Sequence, residues 1–337
     1  MGPATAQLPE AELHSRCLFN ALRRTIRSYQ SAIDSFIRST ATDLSDTAAC
    51  DFKGLSDSVL MWQHNRCRLQ TRKPPLMDNI LAAAQTIATA RRNRAPLASL
   101  SAELAPGDEA EGYRIQRAVH DLLLPQAGDL VGYKIGCTSA VMQQYLDIPH
   151  PCAGGVFAKG VHDSGAKLRY GDYVRVGVEC EIAVRLARNL APSEAPFTAE
   201  WMMEAIEAYH PAIEIVDDRY VKWETMGAPT LVADDFFAAG CVLGKAVMRT
   251  KAPDLLKVNG RAMINGEEAG RGTGADVLGH PHNALACLAN HLADEGKGLH
   301  AGQIVLTGSL VKTVWLSAGD RVKMELDGLG TVEAKFG

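Results

Sequence analysis

Val178-Glu179-Cys180-Glu181-Ile182-Ala183-Val184 is an apolar run interrupted by two acids two positions apart. Read as an extended strand, it sends successive side chains to opposite faces. Glu179 and Glu181 then project on one side, and Val178, Cys180, Ile182 and Val184 on the other. Neighbouring like charges repel, and burying them without a partner costs several kcal/mol. A divalent cation would offset that cost. The alternative is a solvated face on which Arg175 or Arg185 neutralises the pair.

A third acid extends the pattern. Glu214 lies in Ala212-Ile213-Glu214-Ile215-Val216-Asp217-Asp218-Arg219, again a short apolar strand aimed at one face. Three carboxylates without a neighbouring His or Cys cluster select a hard, oxygen-preferring ion, Mg²⁺ or Mn²⁺, over Zn²⁺. Such an ion keeps positions for waters or for a chelating 2-oxo acid, which offers a carboxylate and a keto oxygen.

Gly132-Tyr133-Lys134-Ile135-Gly136-Cys137-Thr138-Ser139 places one lysine inside another apolar strand. Near a cation its charged form is expected to be disfavoured, which suits a proton donor or shuttle. The alternative is a lysine that reaches the surface along its aliphatic stem. Gly136 permits a tight turn, and Thr138 or Ser139 can cap the helix that follows.

The chain has 337 residues, a net charge of -4 and 47% hydrophobic residues, enough for one large domain or two smaller ones. The near-neutral charge argues against a nucleic-acid partner. No apolar run is long enough for a membrane helix, and the start lacks a secretory pattern. Eight cysteines without a CxxC spacing read as reduced, mostly buried thiols, which points to the cytoplasm.

Residues 1–76 differ from the rest, being rich in Ser, Thr and basic residues. Leu18, Leu22, Ile26, Tyr29, Ile33 and Ile37 predict a helix near 11–38. Lys73-Pro74-Pro75 marks a break. The expectation is a partly helical or poorly ordered extension over 1–76 and a working domain over 77–337. Asp78-Asn79 can cap a helix running to about Arg94, and a second helix spans about 109–124. A strand over 129–135 and a helix over 140–146 follow. Strands are then expected at 155–157, 173–187 with a break, 211–216, 240–247, 256–259, 303–307, 321–326 and 330–336. Helices near 198–209 and 281–295 interrupt them. Strands mixed with helices without strict alternation predict an α+β fold.

In order, Gly-Tyr-Lys-Ile-Gly-Cys-Thr-Ser, Val-Glu-Cys-Glu-Ile-Ala-Val, Ile-Glu-Ile-Val-Asp-Asp-Arg, Val232-Ala233-Asp234-Asp235 and Val305-Leu306-Thr307-Gly308-Ser309-Leu310 are present. This series resembles the 2-keto-4-pentenoate hydratase family of the fumarylacetoacetate hydrolase superfamily, which also contains 4-oxalocrotonate decarboxylases. The likeness runs from about Met77 to Phe336. It implies a mixed β-roll or sandwich wrapped by helices, a divalent metal on Glu179, Glu181 and Glu214, and a catalytic lysine at Lys134. It also implies a small 2-oxo or enol acid as substrate and a homo-oligomer. The implied reaction is addition of water to a 2-hydroxy-2,4-dienoate. Decarboxylation of a 2-oxo diacid on the same site, and a non-catalytic member that binds a keto acid, are the alternatives.

One departure bears on the chemistry. Where hydratases of this family often carry an acid–base Asp in a Pro-Asp-Phe-Gly stretch, this chain has Pro151-Cys152-Ala153-Gly154. His150 or Asp147 is the expected substitute, and His150 has a suitable intrinsic pKa. A loop histidine without a role is the competing reading. Asp234, with Asp217 and Asp218, is expected either to orient Lys134 and the ligands or to pair locally with Arg219. Thr307 and Gly308 follow a strand and can offer hydroxyl and N–H groups to a substrate carboxylate, with Ser139 as a further candidate; a plain turn would look the same. His280-Pro281-His282 is read as a loop and helix cap rather than a metal pair.

Overall fold

The computed structural model describes residues 75–337. The helix expected near 11–38, and the extension up to residue 74, lie outside the described residues. In chain order the elements are α1 (Pro75–Asn93), α2 (Glu109–Ala127), β1 (Leu130–Gly136), α3 (Ala140–Tyr145), β2 (Cys152–Phe157), β3 (Val161–Asp163), β4 (Ala166–Leu168) and β5 (Val176–Leu186). Then come α4 (Ala199–Glu204), β6 (Ile206–Asp217), α5 (Gly227–Ala233), β7 (Ala238–Leu243), β8 (Val247–Met248), β9 (Asn259–Ile264) and β10 (Glu267–Thr273). The chain closes with α6 (Pro281–Asp294), β11 (Ile304–Ser309), β12 (Val314–Trp315), β13 (Arg321–Leu326) and β14 (Gly330–Phe336).

α1 and α2 pair through the stripe their spacing predicts. Ile80, Ala84 and Ile87 pack with Ile115, Val119 and Leu123. α1 starts ahead of the expected Asp78 cap. Asp78 instead lies in the first turn, where its charge still suits the helix N-terminus. The Asp108 side chain caps α2 by accepting from the Glu111 N–H at 2.7 Å.

Two mixed sheets confirm the α+β expectation. The larger runs β2-β1-β11-β5-β6-β7-β3, with β12 added to β5 and β8 to β6. The smaller runs β10-β9-β13-β14-β4. β5 and β6 lie at the centre, and alternation gives them two buried faces. Val178, Cys180, Ile182, Ile213 and Ile215 look outward into the main core, shared with Val322, Met324, Val332 and Phe336 of the smaller sheet and with Leu285, Leu288 and Leu292 of α6. Gly260 of β9 lets that sheet come close: a Cβ there would stand 3.2 Å from the Cys180 Sγ. The inner face carries a separate small cluster of Val156, Ala183, Ala212, Cys241, Ile304 and Leu306.

Around that inner cluster the larger sheet curls into a roll. Its two sides approach at Gly240, which has a φ of 144° and whose added Cβ would lie 2.4 Å from the Gly160 carbonyl oxygen. Among the described strands no hydrogen-bonded pairing closes the roll, so it is not a barrel.

Several expected boundaries move, each for a tertiary reason. The helix near 198–209 stops at Glu204, because β6 pairs along β5 from Leu186↔Ile206 to Val176↔Asp217. Pairing overrides local propensity there. The stretch 240–247 splits into β7 and β8 where the Gly244 N–H turns to the Pro211 carbonyl at 2.8 Å. The strand expected at 256–259 is instead β9, joined to an unanticipated β10 by Asn265-Gly266, both at positive φ. Asn-Gly is a hairpin signal, so that strand was legible. α5 was not anticipated either.

The close approach at Gly240 makes a test of the roll. Gly240→Ala is expected to lower stability by about 3 kcal/mol through overpacking against Gly160. Gly171→Ala, where a Cβ meets nothing within 4 Å, is expected to change it by less than about 1 kcal/mol. Urea unfolding of the full chain measures both.

Candidate active site

Strand register assembles the acids. Glu179 faces Glu214 directly, and Glu181 faces Ala212. All three carboxylates therefore emerge on the inner face of the roll, and each places an oxygen within 4.8 Å of the others. Glu181 and Glu214 are fully buried, while Glu179 is partly exposed. The neighbouring arginines do not neutralise them. Arg175 pairs with Asp218 at 3.1 Å and Arg185 with Glu207 at 2.8 Å, so the solvated-face alternative fails.

The cation that reaches the acids is Lys134. Its strand β1 lies beside β11, with Lys134 opposite Leu306, which places the side chain on the same inner face. The Nζ stands 3.0 Å from Glu214 Oε1, and the residue is 3% exposed, so it does not reach the surface. Burial alone would lower its pKa, but Glu214, Glu179 and Glu181 together raise it, so the ammonium form is held. The three acids on their own thus favour the charged form.

The same crowding acts on the carboxyls. Burial, then the Glu214 charge, pushes Glu179 up to about 7, against opposing pulls from Lys134 and the Thr313 hydroxyl. Glu181 is held well above the usual carboxylate range, again by burial first and by Glu214 and Glu179 next.

A hard cation fits this donor set. With the carboxylates ionised, Glu181 Oε1 and Glu214 Oε2 are buried without a hydrogen-bond donor. An unmet buried carboxylate oxygen is costly, and a cation held by three carboxylates meets that need. The remaining oxygens are oriented. The Gly308 N–H donates to Glu181 Oε2 at 2.9 Å, and the Thr313 hydroxyl donates to Glu179 Oε1. Gly308 has a φ of 115°, and a Cβ there would stand 2.5 Å from Thr138, so glycine alone fits.

The other sequence-derived candidates have different places. The Gly308 N–H is used on Glu181, and the Thr307 hydroxyl donates to the Ile182 carbonyl at 2.8 Å, so neither is free for a substrate carboxylate. Ser139 is exposed and caps α3, accepting from the Met142 N–H at 3.4 Å. His150 is half exposed and meets Glu109 at 3.1 Å, with no ion pair to the acids or Lys134. Asp234 pairs with Arg91 and with Arg219 at 2.9 Å, not with Lys134, because both arginines reach it inside the core. The local-pairing reading of Asp234 is the one the geometry supports. Asp217 accepts from the Val174 and Arg175 N–H groups, and His280 caps α6. Cys152 lies opposite Gly136 and is buried. Its interaction with the Cys137 thiol, then burial, pushes its thiol up, which disfavours a thiolate there.

One element went unread in the sequence. Asp235, Phe236 and Phe237 have φ values of 56°, 51° and 69°. A left-handed conformation costs a non-glycine residue about 1–2 kcal/mol. Buried ion pairs hold the turn. Asp235 accepts from His120 Nε2 at 2.6 Å, the Gly155 N–H at 2.8 Å and Arg91 at 3.0 Å. These contacts, His120 and Arg91 foremost, hold its carboxyl well below the usual range despite burial.

Residues 147–336 match the family model described as fumarylacetoacetate (FAA) hydrolase C-terminal. The chain is 34% identical over 260 residues to a 2-keto-4-pentenoate hydratase of Burkholderia vietnamiensis, covering 77% of this chain and 98% of that one. It is 34% identical over 250 residues to a 2-hydroxyhexa-2,4-dienoate hydratase of Comamonas testosteroni, covering 73% and 91%. The 4-oxalocrotonate decarboxylase of Pseudomonas putida G7, solved with magnesium and adipate, superposes with a TM-score of 0.73 at 26% identity, covering 77% of this chain and 98% of that one.

The raised carboxyls set a pH dependence. The folded chain holds protons on Glu179 and Glu181 that the unfolded chain releases near 4.5, so metal-free stability is expected to fall as pH rises from about 4.5 through about 7. Saturating Mg²⁺ is expected to raise Tm at pH 7.5 by binding the folded chain. Glu181→Gln should raise the metal-free Tm and abolish the Mg²⁺ increment. A Tm indifferent to Mg²⁺ in calorimetric scans would rule out the metal site.

Proposed function

The chain belongs to the 2-keto-4-pentenoate hydratase family of the fumarylacetoacetate hydrolase superfamily, and on that premise we propose that it is a divalent-metal-dependent hydro-lyase. It adds water to a 2-hydroxy-2,4-dienoate, a small enol form of an unsaturated 2-oxo acid. The observation that carries the reading is the buried trio Glu179, Glu181 and Glu214, with two carboxylate oxygens lacking a donor, facing the buried Lys134.

Mg²⁺ or Mn²⁺ on these carboxylates supplies Lewis-acid charge against which negative charge on the substrate's 2-oxygen is stabilised. Glu181 is aimed by the Gly308 N–H and Glu179 by Thr313, so the ligand set is preorganised. Lys134 carries the movable proton, as the ammonium group at the acids. It gives that proton to a substrate carbon as the dienol collapses to the 2-oxo form, and it takes up the one leaving the 2-hydroxyl. Water then adds across the remaining conjugated double bond. The Cys137 thiol and burial disfavour a Cys152 thiolate, and His150 and Asp234 are engaged elsewhere, which supports giving the proton transfer to Lys134.

Among the described residues no helix is long and apolar enough to cross a membrane. A cytoplasmic homo-oligomer belongs to the same proposal; the free thiols of Cys137, Cys152, Cys180, Cys241 and Cys287 fit a reducing compartment.

Loss of the dienol absorbance of 2-hydroxypenta-2,4-dienoate measures the reaction. It is expected with Mg²⁺ and abolished by EDTA. Lys134→Ala is expected to lower kcat by about 10³-fold, the range for removing a general acid–base group. CO₂ release from 2-oxohex-3-enedioate, without dienoate hydration, would replace this reading with decarboxylation on the same acids.

A further inference from the structure

The left-handed turn at Asp235–Phe237 has a direction. It points the Phe236 ring at the catalytic lysine, with Lys134 Nζ 5.8 Å from the ring centroid. The ring also lies against Gly136, where an added Cβ would stand 3.2 Å from Phe236 Cδ1. Phe236 is 4% exposed. The clamp on Asp235 and the Arg219 bond to the Ala238 carbonyl at 3.0 Å fix both ends of the turn. An outlying backbone maintained by buried charges beside a reactive group marks a positioning device.

From Phe236 the aromatic side chains continue outward. Its ring meets Phe237 at 5.7 Å, Phe237 meets Trp223 at 5.8 Å, and Trp223 meets Tyr145 at 5.6 Å. Tyr145 is 55% exposed, so the series runs from the buried lysine to the surface. None of these side chains is a cation. By contrast, Trp315, against Gly177 and beside Thr313, carries the Arg175 guanidinium at 4.2 Å.

We propose that Phe236 is the specificity-determining residue of this site and that the aromatic wall it begins receives an aryl tail on the 2-oxo acid, with Asp235 as the residue that positions it. The inference rests on the 2-oxo acid reading above. On that reading a 2-oxo acid held at the three acids would lie beside Lys134, whose Nζ stands 5.8 Å from the Phe236 ring centroid. The series offers a terminal carboxylate ring surfaces, and Lys134 at its inner end is already paired with Glu214. An aryl group packs on the rings.

Calorimetric titration of the full chain in saturating Mg²⁺ tests this with three unreactive probes: pyruvate, 2-oxo-4-phenylbutanoate and 2-oxoadipate. The phenyl compound is expected to bind roughly tenfold tighter than pyruvate or more, the scale of one aromatic contact. Phe236→Ala should remove most of that advantage and leave pyruvate unchanged. Phe236→Leu, a milder replacement that keeps the site packed, should remove part of it, and Asp235→Asn should act in the same direction. Tighter binding of 2-oxoadipate than of the phenyl compound overturns the proposal, as does a Phe236→Ala or Phe236→Leu variant that weakens pyruvate and the phenyl compound alike. Pyruvate that fails to bind at all overturns the 2-oxo acid reading itself, which keeps the two failures apart.

Discussion

Three carboxylates buried against one ammonium form the constraint on which the rest of this structure depends. Such a cluster repels itself and would be expelled from a loosely built core. It is retained because its carboxylates sit on two deeply embedded strands, paired residue by residue from Val176↔Asp217 to Arg185↔Ala208. Unmet oxygens at Glu181 and Glu214 are the residue of that conflict, and they are also what a hard cation requires. Stability and function pull in opposite directions at this point, as they commonly do where charges are gathered for chemistry.

Much of this was legible in the residues. The acids were placed by a period of two, which needs only a strand, and Glu214 by the same argument. Lys134 stood out as a cation in an apolar run. Its protonation state was not legible, because that depends on which charges the fold brings to it. Thr307 and Gly308 illustrate the same limit. Their types fit an anion-binding turn, but the register of β11 against β5 commits them to Ile182 and Glu181. His150 has a catalytic residue's chemistry, yet its loop carries it to Glu109.

The fold shows a similar division. Strand alternation and helix stripes identified the layers, while boundaries shifted wherever pairing extended an element beyond its own preference, as at residues 204–209. The turn at Asp235 was the least readable. Nothing local in Asp-Asp-Phe-Phe announces three left-handed residues. Arg91 from α1, His120 from α2 and Arg219 after β6 impose that shape, and they come together only once the helices are docked on the roll.

Cys180 lies between Glu179 and Glu181 and points the other way, into the core shared with the smaller sheet, where Gly260 comes close behind it. That sheet supplies none of the acids and not the lysine, yet it is the backing plate for the strand that aims two of the three carboxylates. A displacement of this strand's backbone from the outer face carries Glu179 and Glu181 with it on the inner one. Substitutions in the remote sheet will therefore register first as altered catalysis and only later as loss of fold.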